Sequence, residues 1–158
     1  MVVVVIGIFL VFEELRQART VARAELSAES ARLFGALLAQ EREPQFAAVL
    51  VKSRQTPDDL SPSERVQLNS YLTGVLLLYH REYYNYQRGI FETWEDYIDD
   101  TAPAYFGVGY GRAFWQVQRE MLWYPEVAEA IDRALENTDS VEFYRNFDAE
   151  IVYRLQHQ

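Results

Sequence analysis

The sequence predicts an all-α protein: an N-terminal membrane helix continuing into a small irregular helical bundle. Three observations carry that expectation. Apolar residues recur at three- and four-residue spacings along most of the chain, as they do on a helix with one buried face. No stretch alternates with period two for long enough to form a strand. Helix starts are written into the chain, most plainly at Ser61-Pro62-Ser63-Glu64 and at Pro125-Glu126-Val127.

At 158 residues the chain has room for one domain beyond its N-terminal segment. A hydrophobic content of 49% with 25% charged residues excludes a disordered chain. The absence of cysteine excludes disulfides, thiolate-ligated metals and thiol chemistry. A net charge of −9 argues against nucleic acid as a partner. That charge is unevenly spread. Residues 1–54 hold seven basic and six acidic groups, whereas residues 55–158 hold eight basic and eighteen acidic ones.

Residues 1–12, MVVVVIGIFLVF, carry no charged or polar side chain. As a helix they reach ~18 Å, against ~30 Å of bilayer hydrocarbon. No basic region precedes the run and no small-residue cleavage site follows it, so it does not read as a secretory signal. A buried core element would suit the valines. However, the run passes into the charged pattern at Glu13 with no turn residue between, and this favours a membrane-inserted segment over residues 1–15. Arg16, Arg19 and Arg23 follow it and no basic residue precedes it, which puts the N-terminus outside and the body in the cytoplasm. The shortfall of ~12 Å is met by bilayer thinning, by residues upstream of Met1, or by packing on other membrane helices, with Gly7 allowing close approach.

Residues 16–44 read as a helical stalk packing on the bundle. Leu15, Ala18, Ala22, Leu26, Leu33 and Leu37 form its stripe, and Pro44 ends it. The bundle domain is expected over 45–158. It opens with a short amphipathic piece on Phe46, Val49 and Leu50 and a loop at 55–60. Ser61 as N-cap, Pro62 at the first helical position and Glu64 closing a capping box then start a helix ending near Gly89. Its apolar residues surround much of its girth, which marks it as the central helix. A shorter helix is expected to carry Ile90, Trp94 and Ile98 on one side, and a loop to span 101–111. Two further helices follow, one grouping Phe114, Val117 and Met121 with Trp115 and Leu122 alongside, the other Val127, Ile131 and Leu135. Asp139 and Glu142 resemble a cap for a last helix on Tyr144, Phe147, Ile151 and Leu155.

The chain offers little overt chemistry. His80 and His157 are its two histidines, and neither lies in a Glu-x-x-His or His-Glu-x-x-His pattern. Glu92, Glu95, Asp96, Asp99 and Asp100 share one helix face, where carboxylates diverge instead of converging on a cation. Gly107-Val108-Gly109-Tyr110-Gly111-Arg112 precedes a helix, but its spacing is that of no phosphate-binding motif, so a tight interhelical loop is the reading. No catalytic, metal or cofactor-binding residues are therefore expected. The distinctive stretch is the tyrosine-rich end of the central helix. Tyr79, His80, Glu82, Tyr83 and Tyr86, with Trp94 just beyond, are the candidate interaction or pocket residues, since tyrosine pairs a buried ring with a hydroxyl needing a partner.

Several segments together resemble a known pattern: VFEELRQART after the apolar run, Leu60 to Arg65, Arg81-Glu82-Tyr83-Tyr84 with Gln87, Gly89, Ile90 and Trp94, then Phe114-Trp115 before the Pro-Glu-Val start. In order, and across roughly residues 3–136, the chain resembles a group of uncharacterised bacterial proteins with one N-terminal transmembrane helix and a small all-helical cytoplasmic domain. The resemblance implies a location in the bacterial inner membrane and brings no activity, cofactor or catalytic residue. Members of that group have a longer apolar segment than this chain. The function expected is that of a membrane-anchored accessory or scaffolding protein binding other membrane proteins. The alternative is a small-ligand sensor or enzyme with a tyrosine-lined pocket around His80, Glu82 and Tyr83. A closed pocket of converging polar groups would favour the latter, an exposed aromatic patch the former.

Overall fold

The computed structural model describes the backbone of residues 2–138 and the side chains from Val11 onward; the helix expected after Asp139 lies outside the described residues. Within them the protein is all-α, with six α-helices and two short 3-10 turns. The chain divides into two units, Met1–Ala36 and Leu37–Gln158.

The apolar run and the stretch expected as a stalk form one continuous helix, α1, Val2–Glu41. Among the described residues no helix is long and apolar enough to cross a membrane. The expected membrane helix is therefore not supported as a span, because the apolar run stops at Phe12 and Glu13, Glu14 and Arg16 follow at once.

Pro44 breaks the chain and occupies the first turn of α2, Pro44–Gln55, which buries Phe46, Val49 and Ser53. Helix α3, Pro62–Gln87, begins with the anticipated capping box. The Ser61 side chain accepts from the Glu64 amide, and the Glu64 carboxylate accepts from the Ser61 amide at 2.7 Å. Lys52 of α2 donates to the same carboxylate at 2.9 Å. These contacts, the Ser61 backbone bond foremost, hold the Glu64 carboxyl down at about 2. Helix α3 ends in a Schellman turn. The amide of Gly89 reaches the Tyr86 carbonyl and that of Ile90 the Asn85 carbonyl, with Gly89 at φ +66°. Ten of its side chains are buried, so α3 carries the core as expected, although Leu77 is exposed.

Three expectations fail beyond Gly89. The next helix, α4, spans Glu95–Phe106 rather than starting at Ile90, since the left-handed Gly89 turns the chain and leaves Trp94 at the N-cap. It also extends through residues 101–106, the first part of the segment expected as a loop, so that only Gly107 and Val108 separate it from the next helix. Pro103 withdraws a single helical hydrogen bond, the one to exposed Asp99, and is itself buried. Helix α5, Gly109–Gln118, passes into a 3-10 turn at Arg119–Met121. Its buried face is Gly111, Phe114 and Trp115, not the expected Phe114, Val117 and Met121, of which the last two are exposed. Helix α6, Pro125–Asn137, buries Val127 and Ile131 fully and packs Leu135 against the core, as its four-residue spacing predicted.

The register of α5 follows from two close approaches. A Cβ on Gly111 would sit 1.9 Å from the Tyr105 carbonyl oxygen, and one on Gly109 2.3 Å from that of Ser53. Gly109 also holds φ +55°, a left-handed conformation that costs other residues energy. The missing side chains let the start of α5 lie directly on the ends of α4 and α2.

Candidate functional site

The aromatic end of α3 gathers partners from two later segments. Four of the six candidate residues belong to this assembly: His80, Tyr83, Tyr86 and Trp94. The Tyr83 ring lies 4.6 Å from Trp94 edge-on, 5.1 Å from Tyr124 and 6.5 Å from Tyr86. Tyr86 meets Trp94 at 6.2 Å. His80 packs at 5.5 Å from Tyr124 and 5.8 Å from Trp123. Helical spacing puts His80 and Tyr83 on one side of α3. The Schellman turn swings Trp94 back onto that side, and Pro125 starts α6 with Tyr124 at its N-cap.

These separations are those of rings in direct contact. The cluster is a packed aromatic wall, and a cation or flat ligand would have to part it. Its outer edge is open. Trp123 is 77% exposed and Tyr86 41%, with Met121 and Leu77 exposed on the neighbouring stretches. Its inner edge is dry. His80 is buried, and neither ring nitrogen has a hydrogen-bond partner among the described residues. Burial lowers its affinity for a proton, so the imidazole is held neutral. Tyr83 accepts from the Gln87 amide, and its phenol is raised by burial and by its bond to the Glu126 carboxylate.

Tyr79 and Glu82 go elsewhere. Tyr79 is fully buried against Tyr97 and Phe106, with its hydroxyl 2.7 Å from Thr101 Oγ1. Thr101 gives its own proton to the Tyr97 carbonyl at 2.6 Å, which makes Tyr79 the donor. Glu82 is half-buried and adds its charge to the burial that raises the Tyr97 phenol. The structure thus separates the six residues into an aromatic wall of four, of which Tyr86 is exposed and the other three are buried, and a pair, Tyr79 and Glu82, directed toward Tyr97. Trp123 and Tyr124 complete the wall and were not anticipated. Their one sequence signal is a pair of aromatics immediately before the Pro125 helix start.

A second polar cluster was also missed. Glu41 accepts hydrogen bonds from Tyr71 and from Tyr105, the latter at 3.3 Å. Burial and this carboxylate drive the Tyr71 phenol far above its ordinary value, so it stays protonated and anchors the last turn of α1. The remaining motifs carry no site. The carbonyls of Ser53 and Tyr105 crowd the glycine segment where an anion would need N–H donors. The five carboxylates of the 92–100 stretch are all exposed, and Glu95 pairs with Arg133 at 2.7 Å. Among the described residues no three His, Cys, Asp or Glu side chains converge in the manner of a metal site.

Comparison with protein-family models, with curated proteins and with solved structures finds no match to this chain.

Proposed function

We propose that this protein is a membrane-anchored helical accessory or scaffolding protein that acts by contact with other membrane proteins and performs no catalysis. The observation that carries the reading is the run of apolar side chains over residues 1–12, continued by the exposed Val11, Phe12 and Leu15 and followed by Arg16, Arg19 and Arg23. Exposed apolar side chains next to a cationic stretch favour a lipid boundary with the arginines on the cytoplasmic side of the inner membrane. The run is too short to cross alone, so we place it against transmembrane helices of a partner, the third of the routes open to a mismatched segment. Membership in the bacterial group with one N-terminal membrane helix belongs to the same proposal.

The aromatic wall supports contact over chemistry. Its rings pack on one another, its one imidazole is buried and neutral, and its outer edge exposes Trp123. Exposed aromatic and methionine side chains of this kind suit a protein partner. Deletion of residues 1–12 is expected to leave the helical body folded and soluble while abolishing membrane fractionation. A truncated chain that unfolds, with a full-length form soluble without detergent, would make the run a core element and end the proposal. Affinity purification from native membranes, with Trp123→Ala as the comparison, would then identify the partner.

A further inference from the structure

We infer that the arginine face of α1 is a docking surface for the phosphodiester headgroups of an anionic membrane leaflet. This rests on the membrane reading above and names the lipid chemistry that reading leaves open. Phe12, Arg16, Arg19 and Arg23 follow one another at spacings of four, three and four, which keeps them on a narrow strip of one helix face. With Leu15 and Thr20 they form one contiguous surface of the helix. Glu14 and Glu25 fall on the opposite side of the helix at 100° per residue, so a segment of little net charge is divided into a cationic and an acidic face.

The apolar and cationic parts are ordered along the axis as a membrane boundary requires. Phe12 is 71% exposed and Leu15 58% exposed, and both lie on the side of the apolar run. The strip from Arg16 to Arg23 covers about 10 Å of helix axis, and a headgroup layer is roughly 5–7 Å deep on each side of the hydrocarbon. Arg16 and Arg19 therefore reach phosphates when Phe12 meets the acyl chains, with Arg23 at the aqueous edge. Guanidinium forks match phosphate oxygens bidentately, which a lone ammonium does not. Glu13 stands 3.7 Å from Arg16, with both side chains exposed, a loose pair that a phosphate can replace. The Thr20 hydroxyl is bonded to the Arg16 carbonyl at 3.0 Å and leaves the strip to the arginines.

The full-length chain is to be partitioned onto phosphatidylcholine vesicles with and without phosphatidylglycerol. Phosphatidylglycerol is expected to strengthen binding, and added salt to erase that gain. Each arginine near an anionic surface is worth roughly fivefold, so R16Q/R19Q/R23Q should lose on the order of a hundredfold of the gain. Glutamine is close to arginine in helix propensity, so far-UV circular dichroism should be unchanged. E14Q/E25Q, on the other face, should bind as the parent does. Equal binding of the parent to both vesicle types, or binding to neither, would overturn the headgroup inference, whereas the membrane reading is decided separately by the fractionation of the 1–12 deletion. A gain retained in the arginine variant would overturn the assignment to this face, and one enhanced in E14Q/E25Q by as much as the arginines lose would show that net charge and not this face is responsible. Displacement by inorganic phosphate, beyond that by chloride at equal ionic strength, would make it a free-anion site and overturn the assignment to lipid.

Discussion

Replacing Gly111 with alanine sets two physical effects against each other. In a helix interior, alanine is favoured over glycine by about 1 kcal/mol, so propensity alone predicts a more stable protein. The backbone of Gly111 is not left-handed, and strain would not oppose that gain. Space opposes it. The new Cβ would stand 1.9 Å from the Tyr105 carbonyl oxygen and 3.1 Å from its carbon, while ordinary contact begins at 3.4 Å. The obstacle is backbone at the end of α4 and cannot rotate aside. The two helices must therefore separate by about 1.5 Å, over a face that buries Phe106, Phe114 and Trp115. Overpacking of this kind typically costs about 1–3 kcal/mol, and an immovable obstacle points to the upper end. Net of propensity, Gly111→Ala should destabilise by about 2 kcal/mol in urea titrations followed by circular dichroism. Gly74→Ala is the matched control in the same unit, because its Cβ would meet only the flexible Leu37 Cδ2 at 3.4 Å. It should be neutral or stabilising by up to about 1 kcal/mol. A Gly111→Ala protein as stable as the parent, with the Gly74 variant no better, would show that α5 does not rest on α4 as described.

Three further outcomes follow from the same core. Leu76→Ala should cost about 2–5 kcal/mol, since Leu76 is buried on α3, and a loss under about 0.5 kcal/mol would remove it from the core. Two groups make stability fall on acidification, in separate windows. Glu64 is depressed from 4.5 to about 2, so its contribution is complete above the upper value and lost as pH drops through the lower, and Glu64→Gln should flatten melting temperature against pH in that range. His80 is depressed below 6.5, so the unfolded chain takes up its proton first and stability starts to fall near that pH. His80→Phe should abolish that upper phase and raise stability at neutral pH by about 1–3 kcal/mol, as a ring without polar atoms replaces two unpartnered nitrogens. A destabilised His80→Phe protein would mean that those nitrogens are bonded in solution.

The elements legible in the sequence are those specified by neighbours a few residues apart. Ser61, Pro62 and Glu64 satisfy one another's backbone within a single turn, so the start of α3 could be read to the residue. Val127, Ile131 and Leu135 report one helix face by spacing alone. The misreadings came where a local rule met a tertiary fact. Pro103 and the glycines at 107, 109 and 111 read as a loop, yet a buried proline can sit inside α4 when its cost is one hydrogen bond and its return is the packing of Ala102 and Phe106. On α5 two helical stripes compete, 114/117/121 and 111/114/115. The second carries no hydrophobic signal at its glycine, although that residue's bare surface is what admits α4.

The candidate site divides along the same line. Tyr79, Tyr83 and Tyr86 share a helix face by spacing, with Trp94 just beyond the helix end, yet packing takes Tyr79 into the core and brings His80 against Tyr124 beside Tyr83. Nothing local joins them to Trp123 and Tyr124, which arrive only after two intervening helices. The Glu41 cluster is more remote still, linking residues 30 and 64 positions apart. Such contacts carry no period, because each is fixed by the packing of helices whose order and angle the sequence does not display. The same reasoning separates the two proposals. The aromatic wall depends on that packing, and its role as a contact surface stands or falls with the fold. The arginine strip lies on one helix, at spacings the sequence itself prints. A rearranged bundle would dissolve the wall and leave the strip intact, so the vesicle assay and the stability measurements probe independent parts of the reading.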